Sequence, residues 1–182
     1  MIIPRRWGAA AFQVVSVPGI VMMAGAPGFA AVYLTLEQAQ QAIFPGQGFT
    51  SVVLALSDEE RKAIEKKWGA PAQFAKQRIW RASEGGYFIV DEVIGKHEFI
   101  TYAVGINPDG SVCQVEIMDY RESYGNEIRQ KKWRRQFIGK TNTSPLQLGK
   151  DIKNISGATL SCRHVTDGVR RIVSLYEIAL KK

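Results

Sequence analysis

The segment GYFIVDEVI at residues 86–94 is dominated by aromatic and β-branched side chains, which are typical of a buried β-strand. After a turn at residues 95–97, the segment EFITYAVGI at residues 98–106 has the same character. The shorter segment RIW at residues 78–80 precedes both, across a turn at residues 83–85. Because short turns join these segments, they predict consecutive antiparallel strands.

A further strand is predicted after the hairpin turn NPDG at residues 107–110, in the segment SVCQVEIMDY at residues 111–120. Side chains alternate between the two faces of a strand, and apolar and polar residues alternate here. Three apolar side chains are therefore expected on one face and two polar side chains on the other: Cys113, Val115 and Ile117 against Gln114 and Glu116.

Helices are predicted both before and after these strands along the sequence, at residues 34–44, 57–68, 126–138 and about 159–180. The first two begin with capping-box pairs, Thr35 with Gln38 and Ser57 with Glu60. The last carries an apolar stripe at helical spacing: Val165, Val169, Ile172, Val173 and Tyr176. The order of elements predicts a single α+β domain, in which helices pack on an antiparallel meander.

The composition excludes a disordered chain, because 46% of the residues are hydrophobic and only 23% are charged. The net charge of +7 favours an anionic partner, whether a phosphate, a nucleic acid, an acidic lipid or an acidic protein. The sequence has neither GxGxxG nor GxxxxGK[ST], so dinucleotide and nucleoside triphosphate sites lose their usual support.

The two cysteines, Cys113 and Cys162, favour small, partly buried thiols. Without a CxxC motif, and with only His97 and His164 as further soft ligands, a metal site is not expected. A Cys113–Cys162 disulfide is the minority alternative, and it requires an oxidising compartment.

The amino terminus resembles an export signal, because Arg5 and Arg6 precede an uncharged stretch at residues 7–34. We expect residues 1–30 to be a signal peptide whose removal leaves residues 31–182, and the protein to be periplasmic. The alternative is an uncleaved membrane anchor formed by residues 7–34.

The sequence ISGATLS at residues 155–161 stands at the predicted start of the last helix. Small residues there let backbone N–H groups approach an anion, and the helix dipole favours a phosphate. The hydroxyl groups of Ser156, Thr159 and Ser161 add further hydrogen-bonding groups. On the residues alone, however, the simpler interpretation as a helix N-cap is favoured.

The order Ser-Gly-Ala-Thr-Leu-Ser before a helix resembles the flavinylation motif of the FMN-binding domain family. That family includes the covalent-FMN subunits of sodium-pumping NADH:quinone reductase and of the Rnf-type complex, and the flavin domain of the nitrous-oxide-reductase regulator. The resemblance covers roughly residues 86–173. It includes GSV at residues 110–112, YRESYG at residues 120–125, Trp133, and FIGK at residues 137–140.

The resemblance implies one FMN per chain, joined through its phosphate to Thr159 by a phosphoester bond. A dedicated flavin transferase installs the FMN after export in this family. The other motif residues would shape the phosphate cradle or complete the motif: Ser156, Gly157, Ala158, Leu160 and Ser161. One position departs from the family's pattern, because Lys153 stands where many motifs have Asp, with Asp151 two residues earlier.

Weaker candidates surround the motif. Glu122 either contacts the flavin, fixes its loop or is a surface carboxylate. Three aromatic residues are candidates for stacking on the isoalloxazine, although aromatic residues at helical spacing are more often core: Tyr124, Trp133 and Phe137. The basic run at residues 129–135 either docks an acidic redox partner or a membrane, or is a solvated face. His164 is interpreted as a surface or packing residue.

The sequence therefore predicts an exported flavoprotein that carries electrons to or from a redox partner linked to membrane quinone or a cytochrome. Electron transfer is favoured over the transformation of a substrate, because no set of acid and base residues for a substrate is evident. Whether the protein is an enzyme is left open. The alternative is a flavin-binding redox-sensing or maturation module without its own turnover. A nucleic-acid partner is not expected, since no nucleic-acid-binding motif occurs.

Overall fold

The computed structural model describes residues 31–68 and 78–181. The strands, numbered in chain order, are β1 (Ala31–Val32), β2 (Phe49–Val52), β3 (Arg78–Ala82), β4 (Tyr87–Ile94), β5 (Phe99–Ile106) and β6 (Val112–Tyr120). The predicted signal peptide, residues 1–30, lies outside the described residues, and so does most of the alternative anchor at residues 7–34.

All six strands form one antiparallel sheet in the order β1-β6-β5-β4-β3-β2. Strands β2 to β6 are neighbours in chain order, so the predicted meander is confirmed. The two strands that the sequence did not reveal, β1 and β2, are short and lie at the two edges of the sheet.

Two helices begin where the capping boxes predicted, α1 (Leu36–Ile43) and α2 (Asp58–Trp68). The Gln38 backbone N–H donates to Thr35 Oγ1 over 3.2 Å, and the Thr35 N–H donates to Gln38 Oε1 over 2.9 Å. The same reciprocal pair, at 3.2 and 2.9 Å, joins Glu60 and Ser57 before α2. Local hydrogen bonds therefore define both helix starts.

Each face of the sheet carries its own hydrophobic cluster. Along β4, Phe88 and Val90 belong to the smaller cluster, which packs under α1, while Ile89 between them belongs to the larger one. The larger cluster lies under the long helix α4 (Thr159–Leu175) and the π-helical turn Tyr176–Leu180 that continues it. The predicted apolar stripe of the last helix is buried at every position: Val165, Val169, Ile172, Val173 and Tyr176.

The basic segment predicted as one helix at residues 126–138 is instead broken into three short pieces. They are a 3-10 turn at Asn126–Arg129, the helix α3 (Lys131–Arg134) and a second 3-10 turn at Arg135–Phe137. The break occurs at Gln130, whose backbone is extended, with φ −61° and ψ 129°. Its carbonyl accepts from the N–H groups of the second piece, and the change of direction lets apolar residues of both pieces reach the core.

The predicted alternation of β6 was wrong for Cys113. Gly105 pairs with Gln114, and Ile106 pairs with Val112, so Cys113 is the extra residue of a β-bulge. It therefore packs against the smaller cluster, on the opposite face from Val115.

Both thiols are free in this structure. Cys162 is fully buried in the larger cluster, so the sheet lies between the two cysteines. A Cys113–Cys162 disulfide is incompatible with this arrangement, because bridged cysteines need Cα atoms within about 7 Å on facing sides.

A buried polar network joins α4 to the centre of the sheet. The Tyr102 hydroxyl donates to Asp91 Oδ2 over 2.7 Å, and Arg171 also donates to this oxygen. Burial, followed by the charge of Asp91, raises the pKa of Tyr102 well above its ordinary value, so the hydroxyl remains a donor. A Cβ at Gly168 would lie 1.9 Å from Tyr102 Oη, so only glycine leaves room for this hydroxyl under the helix.

We therefore expect Gly168→Ala to destabilise the protein, although alanine has the higher helix propensity. Forcing the Tyr102 ring aside disturbs a fully buried network, and the free energy of unfolding should fall by about 1–2 kcal/mol. Urea denaturation followed by circular dichroism measures the difference. In a Tyr102→Phe background the nearest atom is gone, so the same substitution should cost less. An equal cost in both backgrounds would contradict this explanation.

Candidate functional site

The ISGATLS sequence forms the turn that leads into α4. Ala158 is the N-cap residue, with φ −119° and ψ 21°, and Thr159 is the first helical residue. Gly157 has φ +85°, a conformation that residues other than glycine rarely adopt. Apart from its chain neighbours, no atom lies within 4 Å of the position that a Cβ would take there. Ser156, Gly157 and Thr159 are exposed, so the turn presents its polar groups to solvent.

The Thr159 hydroxyl is held by a residue that sequence reasoning missed. Asn154 Nδ2 donates to Thr159 Oγ1 over 2.9 Å. Within the described residues, the backbone N–H groups of Gly157, Thr159 and Leu160 make no hydrogen bond. Free N–H groups at the positive end of a helix bind anions such as phosphate, and here they belong to Thr159 itself and to residues within two positions of it.

Ser161 faces inward and connects the motif to the sheet. It is only 4% exposed, and its Oγ lies 3.1 Å from the hydroxyl of Tyr120 at the end of β6. The Tyr120 hydroxyl also donates to the Tyr124 carbonyl. A Cβ at Gly125, whose φ is +86°, would lie 2.9 Å from Ala158 Cβ, so the YRESYG segment and the motif pack directly together.

The chain just before the motif is fixed through its backbone at Lys153. Trp133 Nε1 donates to the Lys153 carbonyl over 2.8 Å, and the Lys153 N–H donates to Gln136 Oε1 over 2.8 Å. Trp133 is 4% exposed and Phe137 is fully buried, so both belong to the core, as their helical spacing favoured. The Lys153 side chain itself is exposed.

Asp151 organises the preceding loop. Its carboxylate accepts from the N–H groups of Leu146 and Gln147, over 3.2 and 2.9 Å, and lies 2.9 Å from Lys140 Nζ. Burial of the carboxylate raises its pKa, but these hydrogen bonds and the Lys140 charge outweigh the effect and lower the pKa of Asp151. Leu146 is fully buried with φ +42°, a strained conformation that the Asp151 hydrogen bond helps to hold.

Glu122 fixes the turn between β4 and β5, a different segment from the YRESYG loop that contains it. Its Oε1 accepts from the backbone N–H groups of Lys96, His97 and Glu98, the last two over 2.6 and 3.0 Å. Burial raises the pKa of this carboxyl, but the three hydrogen bonds outweigh it and lower the pKa of Glu122. No contact in the structure joins Glu122 to the residues of the motif.

The remaining surface of α4 carries a cleft of about 270 Å³ that begins one helical turn beyond Thr159. Its lining is mostly polar and charged: Gln147, Leu148, Arg163, Asp167 and Arg170. On the other side of the helix, the Nδ1 atom of the half-buried His164 contacts the Ile94 carbonyl, in keeping with a packing role.

Two further features, a cluster of metal-binding side chains and a helix that could span a bilayer, do not occur in the part of the chain that the structure describes. Residues 31–68 and 78–181 contain no group of three or more His, Cys, Asp or Glu side chains placed to bind a metal. They also include no helix with the length and apolar character needed to span a bilayer.

Glu122→Gln should weaken the protein in a pH-dependent manner. A carboxyl whose pKa is lowered by folding stabilises the fold above its unfolded pKa and loses this contribution as the pH falls through the folded value. We expect the variant to lose about 1 kcal/mol of unfolding free energy at neutral pH, and the difference to shrink in acid. Urea denaturation at a series of pH values, from neutral pH into acid, measures the difference in unfolding free energy between the variant and the wild type. The exposed Glu59→Gln is the matched control. A difference that does not change with pH would contradict the role of the charge.

A comparison with protein families gives a match to the central and carboxyl-terminal part of the chain. Residues 95–174 match the model of the FMN-binding domain family. The matched segment runs from the turn after β4 through nearly all of α4, so it contains Glu122, Asn154 and Thr159. No curated protein sequence matches the chain with significant similarity. The family match supports a flavin-binding protein, and FMN is the cofactor that it supports for the domain over residues 95–174.

Proposed function

We propose that the protein is an exported electron-transfer flavoprotein that carries one FMN on the hydroxyl of Thr159. The observation that carries this proposal is the exposed Thr159 hydroxyl at the amino-terminal end of α4, inside the segment that matches the FMN-binding domain family. FMN bound there would supply the redox chemistry, since a flavin exchanges one or two electrons.

The residues of the motif fit the phosphate of FMN. A phosphate needs hydrogen-bond donors without competing partners, and the N–H groups of Gly157, Thr159 and Leu160 have none among the described residues. The open space around Gly157 gives a phosphate access to the backbone. Ser156, which is exposed in the same turn, adds a hydroxyl group.

Asn154 positions the reacting oxygen. Because its amide donates to Thr159 Oγ1, the hydroxyl hydrogen of Thr159 is directed away from Asn154 and is available to leave. A flavin transferase would supply FMN as part of an activated flavin nucleotide. Oγ1 would form a bond to the phosphorus of FMN, the bond from that phosphorus to the nucleotide leaving group would break, and the leaving group would depart as the Thr159 hydroxyl loses its proton. The group attached to the protein is then FMN less water.

An electron carrier fits the site better than a substrate-transforming enzyme. Asn154 and Ser161 hold Thr159 in position and offer no acid or base for a substrate. Asn154 is an amide, which does not titrate, and Ser161 is buried against Tyr120. The carboxylates of Glu122, in the YRESYG segment, and of Asp151, four residues before the motif, are occupied by backbone N–H groups of turns. Export is proposed from the basic and then uncharged sequence at residues 5–34.

Thr159→Val tests the attachment. Valine keeps the β-branched shape but has no oxygen, so the covalent adduct should be lost entirely while the fold is retained. Intact-mass spectrometry of protein coexpressed with a flavin transferase measures the adduct as the mass of FMN less water. The exposed Thr143→Val, the same change outside the motif, should keep the adduct. Ser161→Ala removes the hydrogen bond to Tyr120 and should lower the yield of adduct less than Thr159→Val does.

Three outcomes would contradict parts of this proposal. An adduct that persists in Thr159→Val would place the attachment on another residue. Wild-type protein without any adduct, in a host with active transferase, would implicate Lys153, and Lys153→Asp should then restore the modification. If the wild type and Lys153→Asp were both colourless, the proposal that the protein carries a flavin would be refuted.

A further inference from the structure

We propose that the exposed cations Lys131, Lys132, Arg135 and Lys153 form a docking surface for the acidic face of an electron-transfer protein. We call these four residues the basic patch. The choice of a redox protein as the partner rests on the proposed function, whereas the preference for an acidic surface rests on the charges alone.

The broken segment at residues 126–137 presents the patch outward. Trp133 and Phe137 are buried in the larger cluster, where their rings pack edge to face with centroids 5.1 Å apart. These two rings hold the short helix down, so Lys131, Lys132 and Arg135 are all exposed. Arg135 lies three residues after Lys132 and four after Lys131, and these spacings place its side chain beside each of the two lysines.

The charges of the patch are not compensated within the described residues. No carboxylate there forms an ion pair with any of the four side chains. The nearby Glu116 is already paired with Arg134, which also donates to the Val115 carbonyl over 2.6 Å. Like charges at this spacing repel one another, and an anionic partner would relieve that repulsion.

The neighbouring Arg129 differs from the patch residues. Its guanidinium carbon lies 3.3 Å from the centroid of the Tyr33 ring, in a cation–π contact within the protein itself. Within the described residues, Lys131, Lys132 and Arg135 are therefore the cations of the basic run that have no internal partner.

The patch adjoins the proposed FMN position. Lys153 is joined to α3 and the following turn by the hydrogen bonds with Trp133 and Gln136. The next residue, Asn154, donates to Thr159 Oγ1. A partner bound on the patch would thus lie beside the attachment residue, where one electron leaving the reduced cofactor of the partner would reduce the flavin.

An acidic protein fits this surface better than a lipid bilayer does. Peripheral membrane segments insert large apolar side chains beside their cations. Here both aromatic rings point inward, and Ile138, which is 50% exposed, is the one large apolar side chain on the outer side of residues 126–140. A surface on which charged side chains predominate suits electrostatic steering of a transient protein complex.

The experiment uses a reduced acidic flavodoxin as the probe and stopped-flow absorbance as the measurement. Lys131→Glu/Lys132→Glu/Arg135→Glu should slow the association rate at low ionic strength by about tenfold or more, and added salt should remove most of the difference. The matched control is Arg61→Glu/Lys62→Glu/Lys66→Glu, which makes the same change of net charge on exposed residues of α2. Since α2 packs against α4 and the turn Tyr176–Leu180, the control lies toward the other end of α4 and should have little effect.

Equal slowing by both triple variants would overturn the patch, since only net charge would then matter. Tight binding of the wild type to phosphatidylglycerol vesicles, with no binding of flavodoxin, would overturn the protein partner in favour of a membrane. Flavodoxin binding measured by calorimetry on Thr159→Val separates this proposal from the flavin proposal. That variant should bind the probe as the wild type does while accepting no electrons.

Discussion

The Tyr120 hydroxyl connects the last strand of the sheet to the first turn of α4, and the position of Thr159 depends on this connection. The hydroxyl bonds both the Tyr124 carbonyl and Ser161 Oγ, and the ring is only 3% exposed. Burial raises the pKa of Tyr120, so the hydroxyl stays protonated and can donate. A buried polar group that lost this partner would be costly, which makes the link a strong determinant of the local structure.

A second support reaches the motif from the other direction along the chain. The Asp151 carboxylate closes the loop around Leu146, and Trp133 and Gln136 then hold the backbone at Lys153. Thr159 is consequently placed between two segments that are both fixed to the larger core. Sites whose supporting groups are already ordered bind without an additional cost of ordering, so this arrangement suits a residue that must present one oxygen accurately.

The sequence revealed those features of the fold that depend on neighbouring residues. Both capping boxes, the four longer strands and the apolar stripe of α4 are local patterns, and the structure confirms them. The errors arose where tertiary packing overrode the local pattern. The extra residue at Cys113 has no sequence signature, and the break at Gln130 serves two apolar anchors that contact the same core.

The candidate site shows the same division. The ISGATLS motif was found from its order of residues, and the family match covers it. The two contacts that shape it could not be found in this way, because Asn154 and Tyr120 act through the folded chain, and asparagine or tyrosine at these positions is unremarkable in sequence. For Glu122, the sequence left three roles open, and the hydrogen bonds to a turn 24 to 26 residues away are a contact that no local pattern indicates.

The placement of the two cysteines on opposite faces of the sheet has a consequence for electron counting. Burial raises the pKa of Cys113 to about 11, and burial likewise raises that of Cys162, so neither thiol is appreciably ionised near neutral pH. Since these are the only cysteines in the chain, it contains no internal dithiol that could store a pair of reducing equivalents. Any reversible redox capacity of the isolated domain must then belong to its bound cofactor, and a reductive titration would report that cofactor without interference from the protein.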